Sequence, residues 1–291
     1  MGVALEAAAG GGVMNALALP ERGAARLPRT VQVIGWGAVK IGRNEGIKYP
    51  TGYDLPSESE AVALVQQIVR MGIRSIDTAP AYGLSEYRVG LALEGLTAHE
   101  RSAVFLSTKV GERFEGGQST YDFSRSAVES SVTHSLRSLR TARLDIVWVH
   151  SDGSDTQIVA DGAAIGALAD LRERGIVGAV GFSAKHVEGA RAALADPRVD
   201  ALMLEYHPSK PDMEPVIADA AKSGRAVFIK KPLASGTLDP AHAIPWILRN
   251  PGVTSVVVGG LSLDRLRTNA RLAGTLPPYP PLETSQRQKG H

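Results

Sequence analysis

Eight short apolar runs, each separated from the next by enough chain for a helix, constrain this sequence more than any other feature. They are residues 30–35 (TVQVIG), 74–78 (RSIDT), 103–108 (AVFLST), 144–150 (LDIVWVH), 178–182 (GAVGF), 201–206 (ALMLEY), 226–230 (AVFIK) and 255–260 (SVVVGG). Runs that stay apolar without alternating suit strands buried on both faces, as in a parallel sheet. Parallel neighbours need long crossovers, and the gaps carry helical signals. Ser57 and Glu60 form a capping-box pattern ahead of Ala61, Leu64, Val65, Ile68 and Val69. Val128, Val132, Leu136 and Leu139 mark one face of another helix. Gly72, Gly175 and Gly224 each close a helical pattern just before a strand. Eight strands and eight crossovers in about 250 residues predict an α/β fold, a single (β/α)8 TIM barrel. The competing open, doubly wound sheet has fewer strands and a G-x-G-x-x-G turn after the first. Gly35-Trp36-Gly37 does not match that turn.

The boundaries follow from composition. Residues 1–26 (MGVALEAAAGGGVMNALALPERGAAR) read as a flexible N-terminal extension, 27–276 as the barrel, and the proline-rich, then polar, 277–291 as a C-terminal tail. The extension lacks a basic segment and carries Glu6, so it makes a poor secretory signal. No apolar run reaches the roughly 18 residues of a membrane span, and no membrane partner is expected. A formal net charge of +2 gives no reason to expect a nucleic-acid partner. Absence of cysteine excludes disulfides and thiolate chemistry and fits a reducing compartment, so a cytoplasmic location is expected. No His, Asp or Glu cluster has zinc spacing, and no metal is expected.

Chemistry in such barrels sits at the C-terminal ends of the strands. Asp77 ends the second run, Lys109 follows the third, His150 ends the fourth, and Tyr82 lies in the loop five residues after Asp77. A phenol has a pKa of about 10, and a neighbouring ammonium lowers it. Lys109 can supply that charge and Asp77 can hold it in place. His150 can hydrogen-bond a substrate carbonyl or relay a proton. The set suits proton transfer to a developing alkoxide.

DTAPAYGLSE, STKVG, LDIVWVH, GAVGFS, KPLASG and GLSLDRLRTN occur in the order seen in aldo-keto reductases, and from about Gly35 to Asn269 the chain resembles that family. The resemblance implies that Asp77, Tyr82, Lys109 and His150 are catalytic, with Tyr82 as acid/base and a hydride supplied by NADPH. It also implies that Gly35, Trp36, Ser183, Leu233, Arg265 and Asn269 contact the cofactor. Arg265 matches a residue at the adenosine end, where an arginine can pair with a 2′-phosphate; hence NADPH is preferred and NADH is possible. The implied partner is a small-molecule carbonyl compound, and the implied state is a monomer or small homo-oligomer. Trp36, Tyr121 and Phe123 are candidates for the pocket rim.

The chain departs from the family pattern at four places: Ala184 replaces a frequent Asn, Met203 a Gln, Lys230 a stacking aromatic, and Gly259 a lysine. Lys230 and Lys231 also support a different reading, a Schiff-base lyase or aldolase, because a desolvated lysine beside another cation can be a nucleophile. A cofactor-retaining, non-catalytic redox-sensing protein is the third reading.

Overall fold

In the computed structural model, which describes residues 16–47 and 49–274, all eight runs contribute parallel strands that close into a barrel in sequence order. The strands are β1 Ile34–Gly37, β2 Ser75–Asp77, β3 Phe105–Val110, β4 Leu144–His150, β5 Val177–Ser183, β6 Ala201–Glu205, β7 Ala226–Lys230 and β8 Ser255–Gly259. The principal helices are α1 Glu58–Met71, α2 Ser85–Glu94, α3 Arg125–Ser138, α4 Ala163–Glu173, α5 Val187–Ala195, α6 Glu214–Lys222, α7 Pro240–Leu248 and α8 Leu263–Gly274. Ser57 and Glu60 close the capping box on α1, contributing about 1 kcal/mol, and Gly72, Gly175 and Gly224 all take positive φ.

Two layers of apolar packing hold the cylinder. Outside it, Ile34, Trp36, Ile76, Leu106 and Val147 meet helix residues such as Val65, Ile68, Val89, Leu168 and Ile217. Inside it, Phe105, Ile146, Trp148, Met203, Phe228 and Val257 fill the space. Trp148 meets Phe228 edge-on at 5.1 Å between ring centroids, and Phe228 stacks on Phe105 at 6.1 Å. Gly181 stands opposite Trp148 in the β4–β5 register, and a Cβ there would lie 2.2 Å from the indole. The glycine is what makes room for so large an interior side chain.

The first run differs from expectation. Residues 30–35 do not form one strand: Val31–Gln32 pair antiparallel with Glu21–Arg22, and the barrel strand starts at Ile34. Gln32 explains the break. Its amide donates to the Gly72 carbonyl at 2.7 Å and accepts from the Arg74 N–H at 2.6 Å, which ties this segment across the N-terminal end of the barrel. Val31 packs into the interior cluster beneath β1. Residues 16–26, expected within an extension, therefore belong to the packed body: the Leu17 N–H donates to the Met71 carbonyl at 2.8 Å, and the Arg22 guanidinium donates to the carbonyls of Leu248 and Val253. The physical body begins before residue 27. Residues 1–15 and the expected tail 277–291 lie outside the described residues.

Candidate active site

Asp77, the last residue of β2, pairs in register with Ser107 on β3, two residues before Lys109. Ser107 Oγ donates to Asp77 Oδ1 at 2.9 Å, and the Lys109 ammonium, 3% exposed, donates to Asp77 Oδ2 at 2.5 Å and to the Thr78 carbonyl at 2.8 Å. Tyr82 closes a single 3-10 turn, Pro80–Tyr82, whose backbone bond runs from the Tyr82 N–H to the Ala79 carbonyl at 3.0 Å. Gly83 then takes φ 60°, and a Cβ there would stand 2.4 Å from the Gly42 carbonyl oxygen, so only glycine lets this turn close onto the neighbouring loop. The turn brings the Tyr82 ring over Lys109, with the ammonium 4.8 Å from the ring centroid.

The electrostatics differ from the acidified phenol expected from sequence. Burial raises the Tyr82 pKa, and although the charge and hydrogen bond of Lys109 oppose it, burial and Asp77 leave the phenol above its ordinary value. Burial works against the Lys109 charge too, yet Asp77 and Tyr82 outweigh it and hold the ammonium above its ordinary value. The result is a protonated phenol beside a stable cation.

His150 ends β4 with its ring perpendicular to that of Tyr82, the centroids 6.4 Å apart. Its Nδ1 lies 2.8 Å from Oε2 of Glu112. Glu112 opens a hairpin, Glu112–Glu115 paired with Gln118–Tyr121, that follows β3. Ser119, on the returning strand, donates to Glu112 Oε1 at 2.6 Å, and Arg43 stands 3.8 Å from the same oxygen. Sequence reasoning missed Glu112. The available signal was an acid three residues beyond Lys109. The rim residues Tyr121 and Phe123 stack at 6.2 Å, with the Lys185 ammonium 5.9 Å from the Tyr121 ring.

Ser183 ends β5 and is fully buried, and the Lys230 amine at the end of β7 donates to its hydroxyl and to the Ala184 carbonyl, each at 2.8 Å. Burial, reinforced by Lys231, pulls the Lys230 pKa down to about 7. Lys231 itself pairs with Glu205 at 3.3 Å. The loop that follows holds Lys231, Ala234 and Ser235 at φ of 51°, 45° and 60°. Non-glycine residues there cost about 1–2 kcal/mol each, strain typical of functional loops. Leu233, in the same loop, packs against the outer core. Met203, in register with Ser183, faces the barrel interior and packs in its core.

Arg265 is exposed on α8 and Asn269, one turn on, is buried. Burial and the charge of Arg265 lower the pKa of Lys40, whose ammonium sits 4.2 Å from the Tyr49 ring centroid. Among the described residues neither Lys40 nor Arg265 has a carboxylate within ion-pair distance, so this pair of cations fits an anion. Two further sequence candidates sit on β1, whose last residue, Gly37, pairs in register with Asp77. Trp36 is fully buried in the outer layer, where its indole N–H donates to the Gly260 carbonyl at 2.9 Å. A Cβ at Gly35 would approach Ser75 Oγ at 2.9 Å, so Gly35 serves the close approach of β1 to β2.

The sequence profile of the Aldo/keto reductase family matches residues 33–243. A solved structure from Pseudomonas aeruginosa assigned to the aldo-keto reductases is 36% identical, with a TM-score of 0.79 over 90% of this chain and 97% of that one. L-galactose dehydrogenase of Arabidopsis thaliana is 30% identical over 77% of this chain and 69% of its own length. D-threo-aldose 1-dehydrogenase of a Pseudomonas species is 25% identical over 87% of this chain and 92% of its own.

Proposed function

Since the chain belongs to the aldo/keto reductase family and is an NAD(P)H-dependent oxidoreductase, we propose that it interconverts the carbonyl and alcohol forms of a small polar substrate, using NADPH and with Tyr82 as the proton donor. Sugar dehydrogenases among the relatives support a polar, hydroxylated substrate for this chain as well. The observation that carries the reading is the Lys109 ammonium, held by Asp77 at 2.5 Å and set against the Tyr82 ring.

The nicotinamide supplies or accepts the hydride when bound. The protein handles the proton. Tyr82 begins protonated and donates to the carbonyl oxygen as negative charge develops there. The phenolate left behind is stabilised by Lys109, whose own charge is fixed by Asp77 and the Thr78 carbonyl. Lys40 and Arg265 provide the cationic end for a nucleotide phosphate, and Ser183 with Lys230 lies toward the reacting end. Fluorescence titration with NADPH and NADH, followed by a carbonyl panel, tests the assignment. Arg265→Ala is expected to weaken NADPH about 10-fold and NADH hardly at all; equal weakening of both would remove the 2′-phosphate role.

Lys230 adds a pH dependence. Its amine is charged below pH 7 and neutral above it. A cation on the Ser183 side disfavours an oxidised, cationic nicotinamide more than a reduced one. From pH 6 to 8 the affinity for NADP+ relative to NADPH is expected to rise roughly 10-fold, and Lys230→Met is expected to abolish the rise in the same titration. The depressed amine also favours a second reading, Schiff-base chemistry at Lys230, which borohydride trapping of a substrate adduct separates from hydride transfer.

A further inference from the structure

The Arg43 guanidinium joins three segments at the mouth of the barrel. Nη1 donates to the Ala81 carbonyl at 3.0 Å, Nε to the Glu45 carbonyl at 2.8 Å and Nη2 to the Gly46 carbonyl at 3.2 Å. Its flat face lies on Phe114 of the hairpin, the guanidinium carbon 3.3 Å from the ring centroid, and Nη1 stands 3.8 Å from Glu112 Oε1. Such a junction needs a planar fork of N–H donors that also stacks on an aromatic ring, and a lysine has neither the fork nor the face. Gly46 wraps the chain around it: with φ at 58°, a Cβ there would stand 2.9 Å from Nη2 and 3.1 Å from the Phe114 ring. The Tyr53 hydroxyl donates to the Arg43 carbonyl and steadies the backbone. Ala81 is the residue before Tyr82 in the 3-10 turn. On the other flank, the Leu84 N–H donates to the Gly42 carbonyl at 3.2 Å, and a Cβ at Gly42 would lie 2.2 Å from the Tyr82 carbonyl oxygen. Consecutive residues, Gly42 and Arg43, therefore grip the turn on both sides of Tyr82.

We propose that Arg43 is a positioning residue for the reaction, aiming the Tyr82 hydroxyl by tying the Ala81 peptide to the hairpin and to the loop after β1. This rests on the reading of Tyr82 as proton donor. The turn is short, and its own backbone bond uses the Ala79 carbonyl, while that of Ala81 goes to Arg43. The Ala81 carbonyl and the Tyr82 nitrogen share one rigid peptide plane, so moving the first moves the second. A donor misplaced by about 1 Å costs about 10²-fold in rate. The Arg43 side chain is 13% exposed, so water competes little for its bonds. Arg43 transfers no proton itself.

A double-mutant cycle tests it. Single-turnover reduction of glyceraldehyde at saturating NADPH is measured in wild type, Arg43→Met, Tyr82→Phe and the double variant. Arg43→Met is expected to lower the rate about 10²-fold in the wild-type background and less than about threefold in Tyr82→Phe, because the hydroxyl it aims is already gone. A general loosening of the mouth would lower both backgrounds alike, and equal losses overturn the proposal. Arg43→Lys should not restore the rate; full restoration overturns the proposal too, and this variant decides if Arg43→Met fails to fold. Carbon-13 NMR of labelled tyrosines gives a second readout in the cofactor-free protein. The Tyr82 ring signals, assigned by their loss in Tyr82→Phe, should shift or split in both Arg43 variants. Unmoved signals overturn the proposal, whether or not glyceraldehyde is turned over. The two failures are separable. Tyr82→Phe with a wild-type rate sinks the reading of Tyr82 as donor, and the proposal with it, whereas a slow Tyr82→Phe beside a fast Arg43→Met sinks the proposal alone.

Discussion

Tyr82→Phe is expected to lower carbonyl turnover by about 10³-fold, within the range contributed by a positioned acid, while the Kd for NADPH stays within about twofold of wild type. The ring is retained, so its packing over Lys109 and edge contact with His150 are retained with it. Only the hydroxyl disappears. Burial and Asp77 also resist ionisation of the phenol, so it enters the cycle carrying its proton. A water molecule in its place would lack both the fixed direction and the ammonium behind it. Single-turnover kinetics at saturating NADPH measures the effect, and turnover within tenfold of wild type would remove Tyr82 as the donor.

Asp77→Asn is expected to cost about 3–5 kcal/mol of stability at pH 7, because it strips a buried ammonium of its counter-charge. Lys109 keeps the Thr78 carbonyl but loses the carboxylate that, together with Tyr82, outweighs its desolvation. The sign with pH follows. The folded protein holds the Lys109 proton more tightly than the ordinary value of 10.5, so this stabilisation is complete below pH 10.5 and fades as pH rises through the higher folded value. The gap between wild type and Asp77→Asn should therefore be largest near neutrality and shrink in strong alkali. Urea denaturation at several pH values checks it; a constant gap would show that the ion pair is not the source.

Asp77, Lys109 and His150 were legible because each closes or follows an apolar run, where barrel architecture puts chemistry, and Tyr82 followed from its distance to Asp77. The runs were legible because buried parallel strands need apolar residues on both faces. What the sequence hid depends on geometry across strands. Glu112 reaches His150 only because a hairpin folds back over the strand ends, and nothing local to Glu112 announces that. Gln32, which pins the chain to Gly72 and Arg74, ends the first run's pairing before β1, and Trp36 in β1 faces the helices. The two-residue pairing Glu21–Arg22 is too short to carry any pattern of its own.

That short pairing has a wider consequence. With Val31 seated under the cylinder and aromatic rings occupying its middle, the described barrel is a packed core rather than a passage. The floor beneath Lys109 is thus built of ordinary aliphatic and aromatic side chains, with Trp148 beside it in register.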